Sequence, residues 1–569
     1  MKIINYRCRV LILFAVYCPA FSQLFFENKS IELGIVNSGG VSNGIDPGGL
    51  SFFDYDNDGW DDITIGGKSS TQPLRFFKNN FGTFVEEIFN FSVTGDVKQV
   101  IWVDYDNDGD NDFFVAVANG INKLFNNDGS FNFTDVTVAA GFPNASLKTF
   151  GASFGDYDND GFLDVFISNL DYSGIKPNYL YHNNGNGTFT NVSQSAGIGN
   201  ASNFSFCSAF FDFNNDGFQD IYVINDRMTT RNVLYRNNGN GTFTDVSVAS
   251  GSNIQMNAMS TAVEDYNYDG WLDIYITNTS EGNYLLKNNA DGTFTNLSMS
   301  TGTILNHFSW GANFFDADND MDLDLYASTA ELNVSAFFEC LANGMFQVPT
   351  NAGFNVDTFH SYSNVIGDIN NDGYVDIFVN NDAPQNSSLW KNSGGTNNWL
   401  KVKLTGVQSN RNGIGSWIEV SVNGQLMNRY TLCGESFLGQ NSGTEFFGVG
   451  DATAIDYIKV KWLSGIEDIL TDVIPNQTLN IIEGSTALST VDFEVDDIRI
   501  FPNPTGGMVY FKTNANFKID ILDVSGRKIV SKFVNQTNPS IDMSSFSKGI
   551  YFLNIQINDK LVTKKIVLN

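Results

Sequence analysis

One nine-residue acidic loop recurs seven times between Asp54 and Asp376, and each copy runs straight into a strand-like apolar segment. The first reads Asp54-Tyr-Asp-Asn-Asp-Gly-Trp-Asp-Asp62. The others are Asp104–Asp112, Asp156–Asp164, Asp212–Asp220, Asp265–Asp273, Asp316–Asp324 and Asp368–Asp376. Their first residues stand 50, 52, 56, 53, 51 and 52 positions apart. A period near fifty residues excludes a single-core domain and predicts an array of like units.

The third unit shows the plan. Thr149 to Phe154 reads as an apolar strand, Val165 to Ser168 as a second, and Tyr179 to His182 as a third. Asn183 to Thr188 reads as a turn, because Asn and Gly take positive φ at little cost. Phe189 to Val192 then opens a fourth strand. Related turn signatures stand at Lys78-Asn-Asn80, Asn126 to Gly129, Arg236 to Gly239, Lys287-Asn-Asn289 and Lys391-Asn392. Four short antiparallel strands per unit is the content of a propeller blade. The last unit lacks its fourth strand after Asn392, whereas Phe25 to Ile35 looks like that missing strand. The N-terminal strand is therefore expected to complete the last blade, which closes the array and hides its edges. The expected fold is all-β: a seven-bladed β-propeller followed by two small β-sandwich domains.

Within each loop the side chains at positions 1, 3, 5 and 9 and the backbone oxygen of position 7 can converge. The expected ligands are Asp54, Asp56, Asp58, Trp60 and Asp62 in the first loop, and Asp104, Asp106, Asp108, Asp110 and Asp112 in the second. In the third and fourth they are Asp156, Asp158, Asp160, Phe162, Asp164, Asp212, Asn214, Asp216, Phe218 and Asp220. In the fifth and sixth they are Asp265, Asn267, Asp269, Trp271, Asp273, Asp316, Asp318, Asp320, Asp322 and Asp324. Asp368, Asn370, Asp372, Tyr374 and Asp376 complete the seventh. Oxygen at alternate positions points to a hard cation, and the many flexible oxygens point to calcium, up to seven ions. No Cys or His joins the set, which argues against zinc. Asp and Asn also favour turns on their own, but a turn needs one or two of them. Asn at position 3 of loops four, five and seven carries no charge and should weaken those sites. Position 6 is Gly except for Met321, which should be strained if its φ is positive.

Acids outnumber bases by 63 to 32, a net charge of −31, so nucleic acid and anionic lipid should be repelled. Lys2, Arg7 and Arg9 flank a short apolar run, Val10 to Cys18, followed by Ala20-Phe-Ser22. Residues 1–22 are thus expected to be a secretory signal. No segment is long and apolar enough to be a transmembrane span. Cys207, Cys340 and Cys433, odd in number and set in apolar stretches, read as buried free thiols.

The loops with their leading strand, as in Phe154-Gly-Asp-Tyr-Asp-Asn-Asp-Gly-Phe-Leu-Asp164, resemble FG-GAP/VCBS repeats over residues 24–396. That resemblance implies calcium-stabilised blades and fixes no ligand. Asn398 to Gly406, Asn410 to Gly415, Phe446 to Asp451 and Val460 to Gly465 resemble the ASPIC/UnbV domain of cartilage acidic protein-like chains, over 397–484. There Arg411, Gly413 and Gly415 read as a turn that fixes strand register, with a binding loop as the alternative. Residues 485–497 read as a polar linker. Ile498 to Thr505, Ile519 to Arg527, Gly549 to Leu553 and the final Lys564 to Leu568 resemble the C-terminal sorting domain of the type IX secretion system, over 498–569. The resemblance implies an address read by the type IX export machinery.

No zinc-type His pair occurs. His182 fills a turn-flanking position held elsewhere by Lys, Arg or Asn and reads as solvated. The expectation is a non-catalytic, secreted or cell-surface calcium-binding protein that binds or adheres to a glycan or protein. An exported polysaccharide-active lyase or hydrolase is the alternative, with its site at the propeller mouth and His307, His360, Arg227 and Arg231 as residues that should converge there. A purely structural scaffold is the third reading.

Overall fold

The structure is a computed structural model that describes residues 24–36, 48–67, 74–170, 176–199, 204–330, 334–382, 384–486, 499–501, 503, 505–512, 517–523, 527–534, 539–557 and 560–569. The expected signal, 1–22, and most of the expected linker lie outside them.

Seven antiparallel runs of four strands follow one another along the chain, each paired first strand to fourth, and the first of these sheets gains a fifth, parallel strand, Gly439–Gln440. In the third sheet these are Thr149–Gly155, Asp164–Asn169, Tyr179–Asn183 and Phe189–Asn191. First and second strands are buried on both faces. That is why they read as unbroken apolar runs. The fourth strand of the third sheet keeps one buried residue, Phe189, ahead of exposed Thr190 and Asn191.

The core lies between successive sheets. Ile101, Val103 and Phe114 of the second sheet pack with Phe154, Val165 and Ile167 of the third. Leu50, Phe52 and Ile63 of the first pack in the same way with Val365, Phe378 and Leu389 of the seventh. The N-terminal strand Phe26–Asn28 pairs antiparallel with Ser388–Asn392, with Phe26 opposite Asn392, and so supplies the fourth strand of the seventh sheet.

Residues 397–486 form two further sheets, of three and four strands, over one apolar core that includes Leu400, Val402, Ile418, Val420, Phe447 and Trp462. From this module one segment, residues 432–442, runs in among the seven first strands. Gly439–Gln440 pairs parallel with Leu50 and Ser51. Gln440 Nε2 donates to the Trp102 carbonyl at 2.7 Å, and Trp102 N–H donates to Gln440 Oε1 at 2.8 Å. Phe154 N–H donates to the Cys433 carbonyl, Ala312 N–H to Ser436 Oγ, and Ile366 N–H to Asn441 Oδ1. The Cys207 thiol donates to the Ser436 carbonyl, and Thr261 forms a bridge with Ser436. The segment therefore touches the first strand of every sheet. Phe437, fully buried, packs on Phe206 and Trp310.

The C-terminal unit, residues 488–569, has a three-stranded and a four-stranded sheet around Val509, Ile519, Ile521, Leu553 and Ile566. Cys207, Cys340 and Cys433 are free and buried. Among the described residues no helix is long and apolar enough to cross a membrane.

Candidate metal centres

Each acidic loop joins the first strand of a sheet to its second, and its backbone is held by its own carboxylates. In loop one, Asp54 Oδ1 accepts from Asp58 N–H at 2.9 Å and Oδ2 from Gly59 N–H at 3.1 Å. The same pair of bonds recurs on Asp104, Asp156, Asp212, Asp265, Asp316 and Asp368. The fifth-position carboxylate caps the seventh residue's N–H, as Asp58 does for Trp60, Asp108 for Asp110, Asp160 for Phe162 and Asp216 for Phe218. Asp269, Asp320 and Asp372 do so for Trp271, Asp322 and Tyr374. The fourth residue of every loop has positive φ, from 55° at Asn215 to 61° at Asn107, as does the sixth. Met321 sits at φ 77°, so the strain expected of it is present.

Ligand oxygens of Asp54, Asp56 and Asp58 lie within 4.8 Å of one another. So do those of Asp104, Asp106 and Asp108, of Asp156, Asp158 and Asp164, and of Asp316, Asp318 and Asp320. Seven buried oxygens in these loops have no hydrogen-bond partner: Asp106 Oδ1, Asp110 Oδ1, Asp112 Oδ2, Asp158 Oδ1, Asn159 Oδ1, Asn214 Oδ1 and Asn370 Oδ1. Four of the seven belong to position 3. Burial pushes Asp62 and Asp112 up to about 9, Asp156 and Asp273 to about 8, and Asp104 and Asp164 to about 7. Neighbouring carboxylates add to the shift. Asp220, Asp324 and Asp376 rise well above the carboxylate range for the same reason. A turn needs none of this, and unpartnered buried oxygens grouped with like charges fit a cation among them. The clusters of buried Asp could hold a metal ion. Where position 3 is Asn, its amide stands between acids: Asn214 Nδ2 donates to Asp216 at 2.8 Å, Asn370 Nδ2 to Asp372 at 2.7 Å and Asn267 Nδ2 to Asp273 at 3.2 Å.

The loops are chained to one another through position 4. The Asn107 amide donates to the Gly161 carbonyl of the next loop at 2.8 Å, Asn159 to Gly217 at 2.9 Å, and Asn215 to Gly270 at 2.9 Å. Asn319 donates to Gly373 at 3.1 Å, and Asn371 of the last loop to Gly59 of the first at 2.9 Å. The sequence signal was the repeated Asn just ahead of the fifth-position acid, which also reads as ordinary turn chemistry.

The first Asn of each turn signature also does more than turn. Asn183 ends the third strand. Its N–H donates to Asp164 Oδ1 at 2.8 Å, and its amide to the Tyr105 carbonyl in the preceding loop at 2.8 Å. Asn237 and Asn288 repeat both bonds. In the sixth sheet Cys340 takes this place and keeps only the backbone bond, to Asp324. His182 is not merely solvated: its Nδ1 lies 3.1 Å from Asp164 Oδ1, and that hydrogen bond lifts it to about 9.

The module at 397–486 sits on these loops. Lys401 Nζ lies 3.0 Å from Asp368 Oδ2 and Lys403 Nζ 3.0 Å from Asp54 Oδ2. Asn428 donates to Asp265. Arg411 N–H donates to Asn107 Oδ1, and Asp104 N–H to Asn412 Oδ1. The Arg411–Gly415 segment, read as a register turn, is thus also a contact with the second loop. Arg227 pairs with Asp226, and Arg231 reaches the Asn253 carbonyl. His307 and His360 precede the first strands of the sixth and seventh sheets.

Family models match the chain in three places. The FG-GAP-like repeat matches residues 54–115, 104–167, 156–223, 212–276 and 265–327. ASPIC and UnbV matches 406–488, and the Secretion system C-terminal sorting domain matches 499–569. The chain is an FG-GAP-like repeat protein that carries an ASPIC/UnbV domain and a secretion sorting tail. That tail indicates export by type IX secretion. Among solved structures, the BP39L lectin from Burkholderia pseudomallei is similar at 12% identity and a TM-score of 0.40, covering 61% of this chain and 97% of that one. Saccharomyces cerevisiae Sqt1 is similar at 9% identity and a TM-score of 0.37, covering 63% of this chain and 100% of that one. No curated protein matches the chain.

Proposed function

We propose that this is a non-catalytic, calcium-binding protein of the cell surface or secreted medium, whose seven sheets form a closed seven-bladed propeller that presents a stiffened face to a glycan or protein. The observation that carries the reading is the set of unpartnered, buried position-3 oxygens in loops already tied to one another by Asn amides. Calcium is the preferred ion because all the donors are oxygens, mixed between carboxylate, amide and carbonyl. The expected ligands remain those at positions 1, 3, 5, 7 and 9 of each loop. The downstream modules are read as small β-sandwiches, and residues 1–22 as the export signal.

An enzyme with its site in the propeller axis is disfavoured, because residues 432–442 fill the space between the first strands. The test is a calcium titration of chelated full-length protein followed by native mass spectrometry, then glycan- and protein-array binding with and without chelator. Uptake of several calcium ions and chelator-sensitive binding support the reading. Calcium-independent array binding, or turnover of a polysaccharide by the pure protein, counts against it.

A further inference from the structure

The seven loops are alike in themselves but are faced by different residues from the third strand. Strand register sets that position. Phe113 pairs with Phe125, which brings Asn126 opposite Asp112; Ile274 pairs with Leu286, which brings Lys287 opposite Asp273. The same register brings Lys78, His182, Arg236, Glu339 and Lys391 opposite the ninth aspartate of the other five loops.

Lys78, Asn126, His182 and Lys287 reach the cages. Lys78 Nζ bridges Asp56 and Asp58, at 3.0 Å from Asp58 Oδ2. Lys287 Nζ lies 2.7 Å from Asp269 Oδ2. Asn126 Nδ2 donates to Asp106 at 3.1 Å and to Asp112 at 3.3 Å, and adds no charge. Glu339 adds an acid, with Gln347 donating to it.

The facing residue varies with the loop it faces. The three loops with Asn at position 3, Asn214, Asn267 and Asn370, are those faced by Arg236, Lys287 and Lys391. The two loops with a fifth acid at position 7, Asp110 and Asp322, are faced by Asn126 and Glu339. Loop two is the extreme case. It holds five aspartates, and three of its buried oxygens lack a partner: Asp106 Oδ1, Asp110 Oδ1 and Asp112 Oδ2. Asp112 is itself wholly buried. Among the described residues no ion pair links a basic side chain to loop two, whereas Lys403 and Lys401 add a second cation to loops one and seven. Arg429 lies close enough to act on Asp316 in loop six.

We propose that the third-strand residue opposite the ninth aspartate grades the seven cation sites, so that loop two, faced by Asn126, fills first and most tightly, loop six follows, and the loops faced by Lys or Arg fill last. This rests on the calcium reading above. The physical reason is that a fixed ammonium beside the cage satisfies the carboxylates without an ion and repels one that arrives.

The position-7 tryptophans give a local readout. Trp60 and Trp271 belong to loops one and five, both faced by a lysine, and each can sensitise emission from Tb³⁺ bound beside it. In full-length protein stripped of metal, Lys287→Gln should bring the tryptophan-sensitised terbium emission on at a concentration about tenfold lower than wild type. Asn126→Lys should remove the tightest calcium ion counted by native mass spectrometry, while Asn126→Gln, which keeps the amide, should retain it. Near-ultraviolet circular dichroism matching wild type establishes that each variant is folded. If wild type binds calcium but Lys287→Gln and Asn126→Lys leave the order and midpoints unchanged, the grading is overturned and the calcium reading stands. If no variant nor the wild type takes up calcium or terbium, both fall.

Discussion

The side-chain amide of Asn371 donates to the carbonyl of Gly59, 2.9 Å away and 312 residues earlier in the chain. This bond links the last acidic loop to the first, just as Asn107 links loop two to loop three. Its loss in Asn371→Ala is expected to lower stability by about 1 kcal/mol. A fall in calcium affinity should accompany it, since Asn371 also holds the turn of loop seven. Denaturant unfolding with and without calcium measures both, and a variant as stable as wild type removes the seam from the account.

A second seam lies at the N-terminal strand. Gly353 has φ +101°, and a Cβ there would stand 2.0 Å from the Phe26 carbonyl oxygen of the N-terminal strand. Gly217 has nearly the same φ, +88°, with nothing within 4 Å. Gly217→Ala should therefore cost only backbone strain, about 1 kcal/mol, and Gly353→Ala clearly more, because the strand itself must move. Equal losses in the two variants would mean that the N-terminal strand contributes little.

Chelation should lower the melting temperature, because ions that bind only the folded chain stabilise it by mass action. Asp158→Ala should narrow the gap between calcium and EDTA melting curves more than Asn214→Ala. Both stand at position 3, but only Asp158 brings a charge. Scanning calorimetry in the two buffers decides it; matching effects would favour turn capping.

Gln440 is buried and satisfies both main-chain groups of Trp102 while accepting from Ser51 Oγ at 2.9 Å. Gln440→Ala leaves those groups without partners in the interior, a loss of about 2–3 kcal/mol. Urea unfolding of the full chain measures it. An effect below about 0.5 kcal/mol would show that residues 432–442 are lodged there without bracing the sheets.

Glu435 and Glu445 supply a pH dependence that needs no metal. Burial raises Glu435 to about 7 and Glu445 to about 8; Glu264 reinforces the shift at Glu445, and Arg429 opposes it there. A carboxyl raised on folding contributes stability that is fully present below its unfolded value, near 4.5, and is lost as pH climbs through the folded one. In EDTA the protein should lose stability between about pH 5 and pH 8 on this account, and Glu435→Gln should flatten part of that slope. Parallel stability profiles for variant and wild type would contradict it.

The acidic repeats, the apolar runs after them and the N-terminal strand were legible because each signal is local: spacing, alternation, or a motif missing in one place and present in another. Asn183, Asn237 and Asn107 carry the same letters that any turn carries. Only the approach of the neighbouring sheet reveals that their amides cross to it. Gln440 and Ser436 could not be read at all. They lie in an unremarkable stretch of a different module, and their role comes from being threaded among strands hundreds of residues earlier. His182 was misjudged for a related reason, since its partner Asp164 faces it only through strand register.

Ser51 waits 389 residues for Gln440. The central strands thus gain their last hydrogen bonds only when nearly all of residues 1–486 have been made, and the strand at the start of the chain must hold itself ready for a partner near residue 390. Such long-range pairing makes for slow folding with a late commitment step. A chain of this plan stays unfinished at its centre until residues 432–442 are in place.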